Sequence, residues 1–279
     1  MLLDLHCHST YSDGTLSPRQ LIKKAKNLGI KIFSITDHDT IKGQMEAIEF
    51  AKELNLKYIP GVEINAEFPT LMDILGYNVD IKNDYLNSVL EIIYNKRIER
   101  NRLMIELLKK EGFRIDIEDL EGLSLYTIGR PHIARILLKK GYGTSVSQII
   151  ETYLTRGKSC YIERFKFSPR KTIRAIKKAG GLAVLAHPKK LRLSNIQLEI
   201  LVNELKDYGL DGIECFHYSS DPHYTNFLID LARKNGLLVT AGSDYHGSNK
   251  PYVSLGVYVE NFVIQDTINY FVTNYYKKS

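Results

Sequence analysis

The sequence predicts an α/β fold, a mainly parallel sheet or barrel flanked by helices. Three observations carry this reading. Short apolar, β-rich runs alternate with stretches of helical period. The helical stretches open at capping signals and close at glycine. The His, Asp and Glu residues able to carry chemistry cluster at the ends of the apolar runs, where α/β folds assemble their sites.

The elements follow in order. Residues 2–8 alternate and read as a first strand. Ser17 is a fitting N-cap and Pro18 a fitting first-turn residue for a helix to about 28, which Gly29 ends. Residues 31–36 form a second strand, 40–54 a helix, 56–64 a third strand and 71–77 a fourth. A long helical stretch covers 81–112. No further barrel-like strand is expected before Ala183, so residues 97–165 read as a mostly helical insertion packed over the mouth of the main domain, which comprises 1–96 and 166–279. The alternation then resumes: helix 169–179, strand 182–186, helix 195–208, strand 212–216, helix 222–235, strand 238–241. The tail carries two apolar alternations, VSLGVYV and ENFVIQ, and a TNYYKKS end expected to fray.

Composition bounds the function. A chain of 279 residues, 44% hydrophobic and 25% charged, can bury a full core. No uncharged run approaches the length of a membrane span, and the acid and histidines of MLLDLHCH interrupt any signal segment. Three cysteines form no CxxC pair, which fits a reducing cytoplasm. The net charge of +6 suits an anionic substrate. No obligate protein partner is evident.

The chemistry sits in five short motifs. LDLHCHSTYSDGT holds His6, His8 and Asp13; FSITDHDT holds Asp37, His38 and Asp39. PGVE ends in Glu63, VLAHP contains His187, and TAGSDYHG contains Asp244 and His246. On a strand, His6 and His8 share one face and Cys7 points away into packing. Asp13 lies in a turn that folds its carboxylate back toward the strand end. Gly61 permits close backbone approach before Glu63. Imidazoles and carboxylates in such number are the ligand set of borderline and hard divalent metals, and one ion would not need them all.

HCHSTYSDG, TDHDT, GVEI, LAHP and GSDYHG together resemble the PHP (polymerase and histidinol phosphatase) superfamily of metal-dependent phosphoesterases, and the resemblance covers nearly the whole chain. The segment IGRPHIARILLKKG places it nearest the small stand-alone phosphoesterases. The resemblance implies a distorted seven-stranded (β/α)7 barrel with a trinuclear site. It implies that His6, His8, Glu63 and Asp244 hold one metal. Glu63 bridges to a second, shared with His187, and Asp13, His38 and His246 hold the third. Relatives commonly have histidine where this chain has Asp73, and an oxygen ligand there favours manganese, iron or magnesium. Manganese is the leading expectation, with iron, magnesium or zinc as alternatives.

The implied reaction is hydrolysis of nucleotide phosphate monoesters, such as the 3′-phosphate of nucleoside 3′,5′-bisphosphates, and trimming of short 5′-phosphorylated RNA. A metal-held hydroxide near Glu63 would attack phosphorus. His217, and less strongly His223, are candidates to protonate the leaving oxygen. Arg130, His132, Arg135, Arg156 and Lys158 in the insertion are candidates to grip phosphate. Asp39 could orient a ligand. Two other functions share the motifs: histidinol-phosphate phosphatase, and a non-catalytic PHP module that binds nucleic acid. The latter lacks sequence support, because the 18 tyrosines are scattered rather than interleaved with basic residues.

Overall fold

The structure is a computed structural model that describes residues 1–120 and 128–273. The fraying expected from 274 onward lies outside the described residues. Two compact units emerge: Met1–Val89 with Lys166–Ser279, and Leu90–Phe165.

In the first unit, β1 (Leu2–Leu3) pairs antiparallel with β9 (Val257–Tyr258). The short strands β2 (Ile32–Phe33) and β3 (Lys57–Tyr58) pair in parallel. A five-stranded sheet runs β4 (Gly61–Ala66), β5 (Met72–Tyr77), β6 (Leu182–Leu185), β7 (Gly212–Phe216), β8 (Leu238–Ala241). Its β6, β7 and β8 are parallel, but β5 runs antiparallel to both neighbours. The ladders do not join into one closed barrel among the described residues. Isolated bridges Asp4–Phe33, Cys7–Tyr245 and His38–Glu63 link their edges instead. The cause is local. After β1, β2 and β8 the chain bends to present side chains rather than continuing a ladder, and Asp39 and Asp244 adopt positive φ.

Helix α1 (Pro18–Asn27) has the expected cap: Ser17 accepts from the Gln20 backbone, and the Gln20 side chain accepts from the Ser17 backbone. Gly29, at φ +77°, ends it. Helix α2 (Gln44–Glu53) starts later than expected, because the Thr40 hydroxyl accepts from the Lys42 N–H and holds a local turn. The single strand expected at 56–64 is divided at Pro60, which has no N–H for a ladder. Helices α6 (Pro169–Lys178), α7 (Asn195–Asp207) and α8 (Pro222–Lys234) begin at side-chain caps Ser168, Ser194 and Asp221. The ENFVIQ alternation belongs not to a strand but to helix α9 (Asn261–Phe271), whose Ile264, Thr267 and Phe271 are buried at helical spacing.

Leu3, Leu5, Ile59, Leu75, Leu182, Val184 and Ala241 form one core of this unit. Cys7, Phe33 and Ile35 pack with α1 and α2 residues in another. The long helix α3 (Asp84–Lys110) continues into the second unit, which also contains α4 (Arg130–Lys139) and α5 (Val146–Ile149). That unit has its own core, including Met104, Leu108, Ile133, Leu137 and Leu154. No helix among the described residues is long and apolar enough to cross a membrane.

Candidate metal centre

Backbone pairing aims the first histidines. Leu5 N donates to Ala241 O at 3.0 Å, Asp244 N to His6 O at 2.7 Å, and His8 N to Tyr245 O at 2.9 Å. Residues 5–8 are therefore extended alongside 241–245. Cys7 turns into the apolar cluster and His6 and His8 turn the other way, as the alternation requires.

Glu63 is the hub. Its Oε2 lies 3.3 Å from His6 Nε2, 3.3 Å from His8 Nε2 and 3.0 Å from His38 Nδ1. Its Oε1 lies 2.9 Å from His187 Nε2, which is 3.6 Å from Asp73 Oδ2. Asp244 Oδ1 approaches His8 Nε2 at 3.4 Å and His6 Nε2 at 3.8 Å. Asp13 folds back to within 3.2 Å of His246 Nε2 and 3.6 Å of His8 Nδ1. Potential ligand atoms fall into four overlapping groups: His8, Asp13, His38 and His246; His6, Glu63 and His187; His6, His8 and Asp244; His38, Glu63 and Asp73. Every metal candidate from the sequence belongs to at least one group. The grouping differs in detail from the implied ligand sets, because His8 also reaches Asp13 and His246, and His38 also reaches Asp73.

This donor set fits divalent cations. His6 Nε2, His8 Nε2, His38 Nδ1, Glu63 Oε2 and Asp73 Oδ2 are all buried without a hydrogen-bond partner. Polar atoms left this way cost roughly 1–3 kcal/mol each, so a fold that gathers several at one point has a use for them. Divalent cations accepting nitrogen and oxygen lone pairs would answer these atoms.

Without metal, protons do that work. Burial alone would raise Glu63, but His38 and His6 hold its carboxyl well below the usual range. Burial opposes charge on His38, yet Glu63 and Asp13 push it up to about 10. His246 goes the other way, down to about 4, through burial and the neighbouring His8. Backbone strain concentrates here too: His187 and Asp244 have φ of +29° and +55°.

Comparison with known proteins shows the family. The PHP domain family model matches residues 4–164. The chain is 33% identical over 260 residues to the 5′-3′ exoribonuclease Rnm of Escherichia coli, covering 92% of this chain and 88% of that protein. The chain belongs to the PHP family. It is also 30% identical over 253 residues to a 3′,5′-nucleoside bisphosphate phosphatase of Chromobacterium violaceum, covering 88% and 87% of the two chains. A candidate metal-dependent phosphoesterase of Bifidobacterium adolescentis superposes with a TM-score of 0.78 at 33% identity, covering 95% of this chain and 94% of that one. As a PHP member the chain is a phosphoric ester hydrolase that depends on divalent metal, with an α/β fold shared with those phosphoesterases.

In this PHP chain the groups behind the ligands include several that sequence reasoning missed. Glu214, fully buried on β7, accepts from His6 Nδ1 at 2.9 Å and from His187 N at 2.8 Å. It thereby turns His6 Nε2 toward Glu63 and holds the strained His187 backbone. Its one signal is a carboxylate inside the apolar run GIECF. Gly242 makes room for this pair, since a Cβ there would fall 2.2 Å from His6 Cβ. Asp37 lies near the ligands but receives Ser9 N, Ser9 Oγ and Ser12 Oγ at 2.6–2.7 Å, so it pins the loop before Asp13. Asp4, raised to about 6 by burial, receives Ser243 N and Oγ and ties β1 to the loop bearing Asp244. Asp39 receives Asn65 N at 3.2 Å, and Asn65 Nδ2 donates to Asp73 Oδ1 at 2.6 Å. Asp39 thus helps seat Asp73, which reaches the cluster from the start of an antiparallel strand rather than from a strand C-terminus.

The proton-donor candidates separate. His217 is buried at the centre. Its Nδ1 lies 2.7 Å from Ser219 Oγ and 3.1 Å from Ser219 N, and its Nε2 lies 3.3 Å from Asp244 Oδ2. His223 is exposed in the first turn of α8 and belongs to none of the ligand groups.

The phosphate candidates lie in the second unit. Arg130 donates to Leu154 O at 3.3 Å and lies over the Tyr161 ring. His132 Nδ1 accepts from Gly129 N at 3.3 Å. Arg135 and Lys158 are exposed, and Arg156, 82% exposed, is 3.6 Å from Glu163.

Proposed function

We propose that this PHP hydrolase removes phosphate from nucleotides, with the 3′-phosphate of nucleoside 3′,5′-bisphosphates as its main target and short 5′-phosphorylated RNA as a further substrate. One observation supports this above the rest: Glu63 Oε2 stands within 3.3 Å of three imidazoles while Oε1 meets a fourth. Two carboxylate oxygens facing separate ligand groups suit a bridge between metals. The names of the exoribonuclease and bisphosphatase relatives supply the substrate class.

In this reading His6, His8, Glu63 and Asp244 hold one ion, Glu63, Asp73 and His187 a second, and Asp13, His38 and His246 a third. The nitrogen-rich donors with Asp73 favour manganese or iron, with zinc and magnesium behind. Bound divalent ions would supply charge neutralisation at phosphoryl oxygens and a more acidic water. The chain's own residues do the rest. Glu214 keeps His6 aimed, and Asp37 keeps the Asp13 loop closed. His217 Nε2 is placed to hand a proton to the leaving oxygen from the imidazolium form, in which Nδ1–H would donate to Ser219 Oγ at 2.7 Å. Arg130, His132, Arg135, Arg156 and Lys158 of the insertion are the proposed groups for gripping the second phosphate. The seven extended segments 2–8, 31–39, 57–66, 72–77, 182–187, 212–216 and 238–245 act as a distorted barrel, linked by the isolated bridges where ladders stop.

The test compares kcat/KM of the manganese-loaded protein on four compounds: adenosine 3′,5′-bisphosphate, a 5′-phosphorylated RNA oligomer, histidinol phosphate and an aryl phosphate. The expected result is a clear preference for the bisphosphate, with the RNA second. A preference for histidinol phosphate would reject the nucleotide assignment.

A further inference from the structure

Beside the centre, and within the first unit, stands a group that the reaction scheme above does not use. Lys190 Nζ and Lys250 Nζ each lie 2.8 Å from the same atom, Asp244 Oδ2. His217 Nε2 shares that oxygen at 3.3 Å. Asp244 Oδ1 is turned away from them, toward His6 and His8. One carboxylate cannot neutralise two ammonium groups, so this rim carries surplus positive charge. The lysine side chains are 23% and 21% exposed, open enough for an anion to reach. Both ammonium groups sit 5.8 Å from the centre of the Tyr218 ring. Tyr218 is 43% exposed and meets the 72% exposed Tyr252 edge to face at 5.9 Å.

We propose that Lys190, Lys250 and Tyr218, with Tyr252 at its edge, form a binding subsite for a phosphorylated nucleoside: the two ammonium groups take phosphoryl oxygens and the tyrosine ring takes the base. The chemistry selects this ligand. Two adjacent charged donors match the several oxygens of one phosphoryl group. An exposed aromatic face next to them stacks any base without reading its edge. Neither element alone would prefer a nucleotide to inorganic phosphate or to an uncharged ring. The proposal deepens the nucleotide reading above and rests on it.

Binding separates the two ideas. Calorimetric titration of the metal-loaded protein with adenosine 5′-monophosphate and with ribose 5-phosphate needs no turnover. Wild type should bind the nucleotide about tenfold more tightly, the scale of one base stacked on an aromatic ring. Tyr218→Leu should erase that difference while leaving ribose 5-phosphate affinity unchanged. Lys190→Met with Lys250→Met should weaken both ligands at wild-type metal content, and Lys190→Arg with Lys250→Arg should restore them. Equal affinity of wild type for the two ligands, or a Tyr218→Leu variant that still discriminates, would overturn the aromatic half. Loss of metal in the methionine variant, without rescue by arginine, would reduce the lysines to positioning Asp244 and overturn the cationic half. Discrimination by wild type without hydrolysis of nucleotides would instead defeat the proposed reaction and leave the subsite standing.

Discussion

The two compact units hold their candidate functional side chains in different states. In the first, imidazoles and carboxylates are buried, crowd within 4 Å of one another and leave ring nitrogens and carboxylate oxygens without hydrogen bonds. In the second, Arg100 Nε donates to Ile162 O, Arg130 to Leu154 O, and Arg156 and Lys158 face solvent. Arg100 and Arg130 are bonded by backbone carbonyls and Arg156 faces Glu163, whereas five atoms of the cage have no hydrogen-bond partner. The contrast teaches which motif residues the fold commits to chemistry. Several buried imidazole and carboxylate atoms left without partners at one point call for a ligand; exposed or backbone-bonded guanidiniums do not.

Substitutions can break or sharpen this contrast. The largest effect is expected in the cage: His8→Ala should lose metal and nearly all hydrolysis while remaining folded, checked by elemental analysis, turnover and circular dichroism. Normal metal and turnover would remove His8 from the centre. Next comes Glu214→Gln, which leaves every ligand in place but weakens the acceptor behind His6. Metal affinity should fall about 10- to 100-fold, the usual cost of losing such a partner. An unchanged metal titration would leave Glu214 a packing residue.

The pH dependence follows from His38. Its folded pKa, about 10, lies above the ordinary 6.5, so metal-free protein holds His38 protonated at pH 8. The stability gained from that proton is fully present below pH 6.5 and fades as pH rises through about 10. A metal must displace the proton, so affinity should climb with pH over the same interval, with protons released into a weakly buffered titration at pH 8. Affinity independent of pH there would contradict the assignment. The smallest effects belong to the second unit. Arg130→Ala should raise KM on phosphorylated substrates with little change in kcat, and Arg156→Ala should change both less. Identical kinetics for Arg130→Ala and wild type would reject the clamp.

Much of this was legible in the sequence, for definite reasons. Strand alternation sends His6 and His8 one way and Cys7 the other, so a local rule sufficed. The Ser17–Gln20 capping box and Gly29 frame α1 with chemistry contained in a few residues. The failures come where neighbours decide. Thr40 delays α2 by a side-chain bond, Pro60 divides a strand, and ENFVIQ alternates in sequence yet packs as a helix because Ile264 and Phe271 find the core. Strand direction is not readable from alternation either, so the sequence does not reveal that the strand bearing Asp73 runs antiparallel to both neighbours. Glu214 and Lys190 remained hidden because their partners lie far along the chain, at His6 and Asp244.

The central claim is that one cage, built around Glu63, holds several divalent ions. Elemental analysis of wild type and Glu63→Gln, both purified without chelators, addresses it directly. Wild type should carry more than one equivalent of divalent metal per chain, and the substitution should strip at least two sites together, since Glu63 belongs to more than one ligand group. A Glu63→Gln protein with wild-type metal content, or a wild type that hydrolyses phosphate esters at full rate without metal, would contradict it.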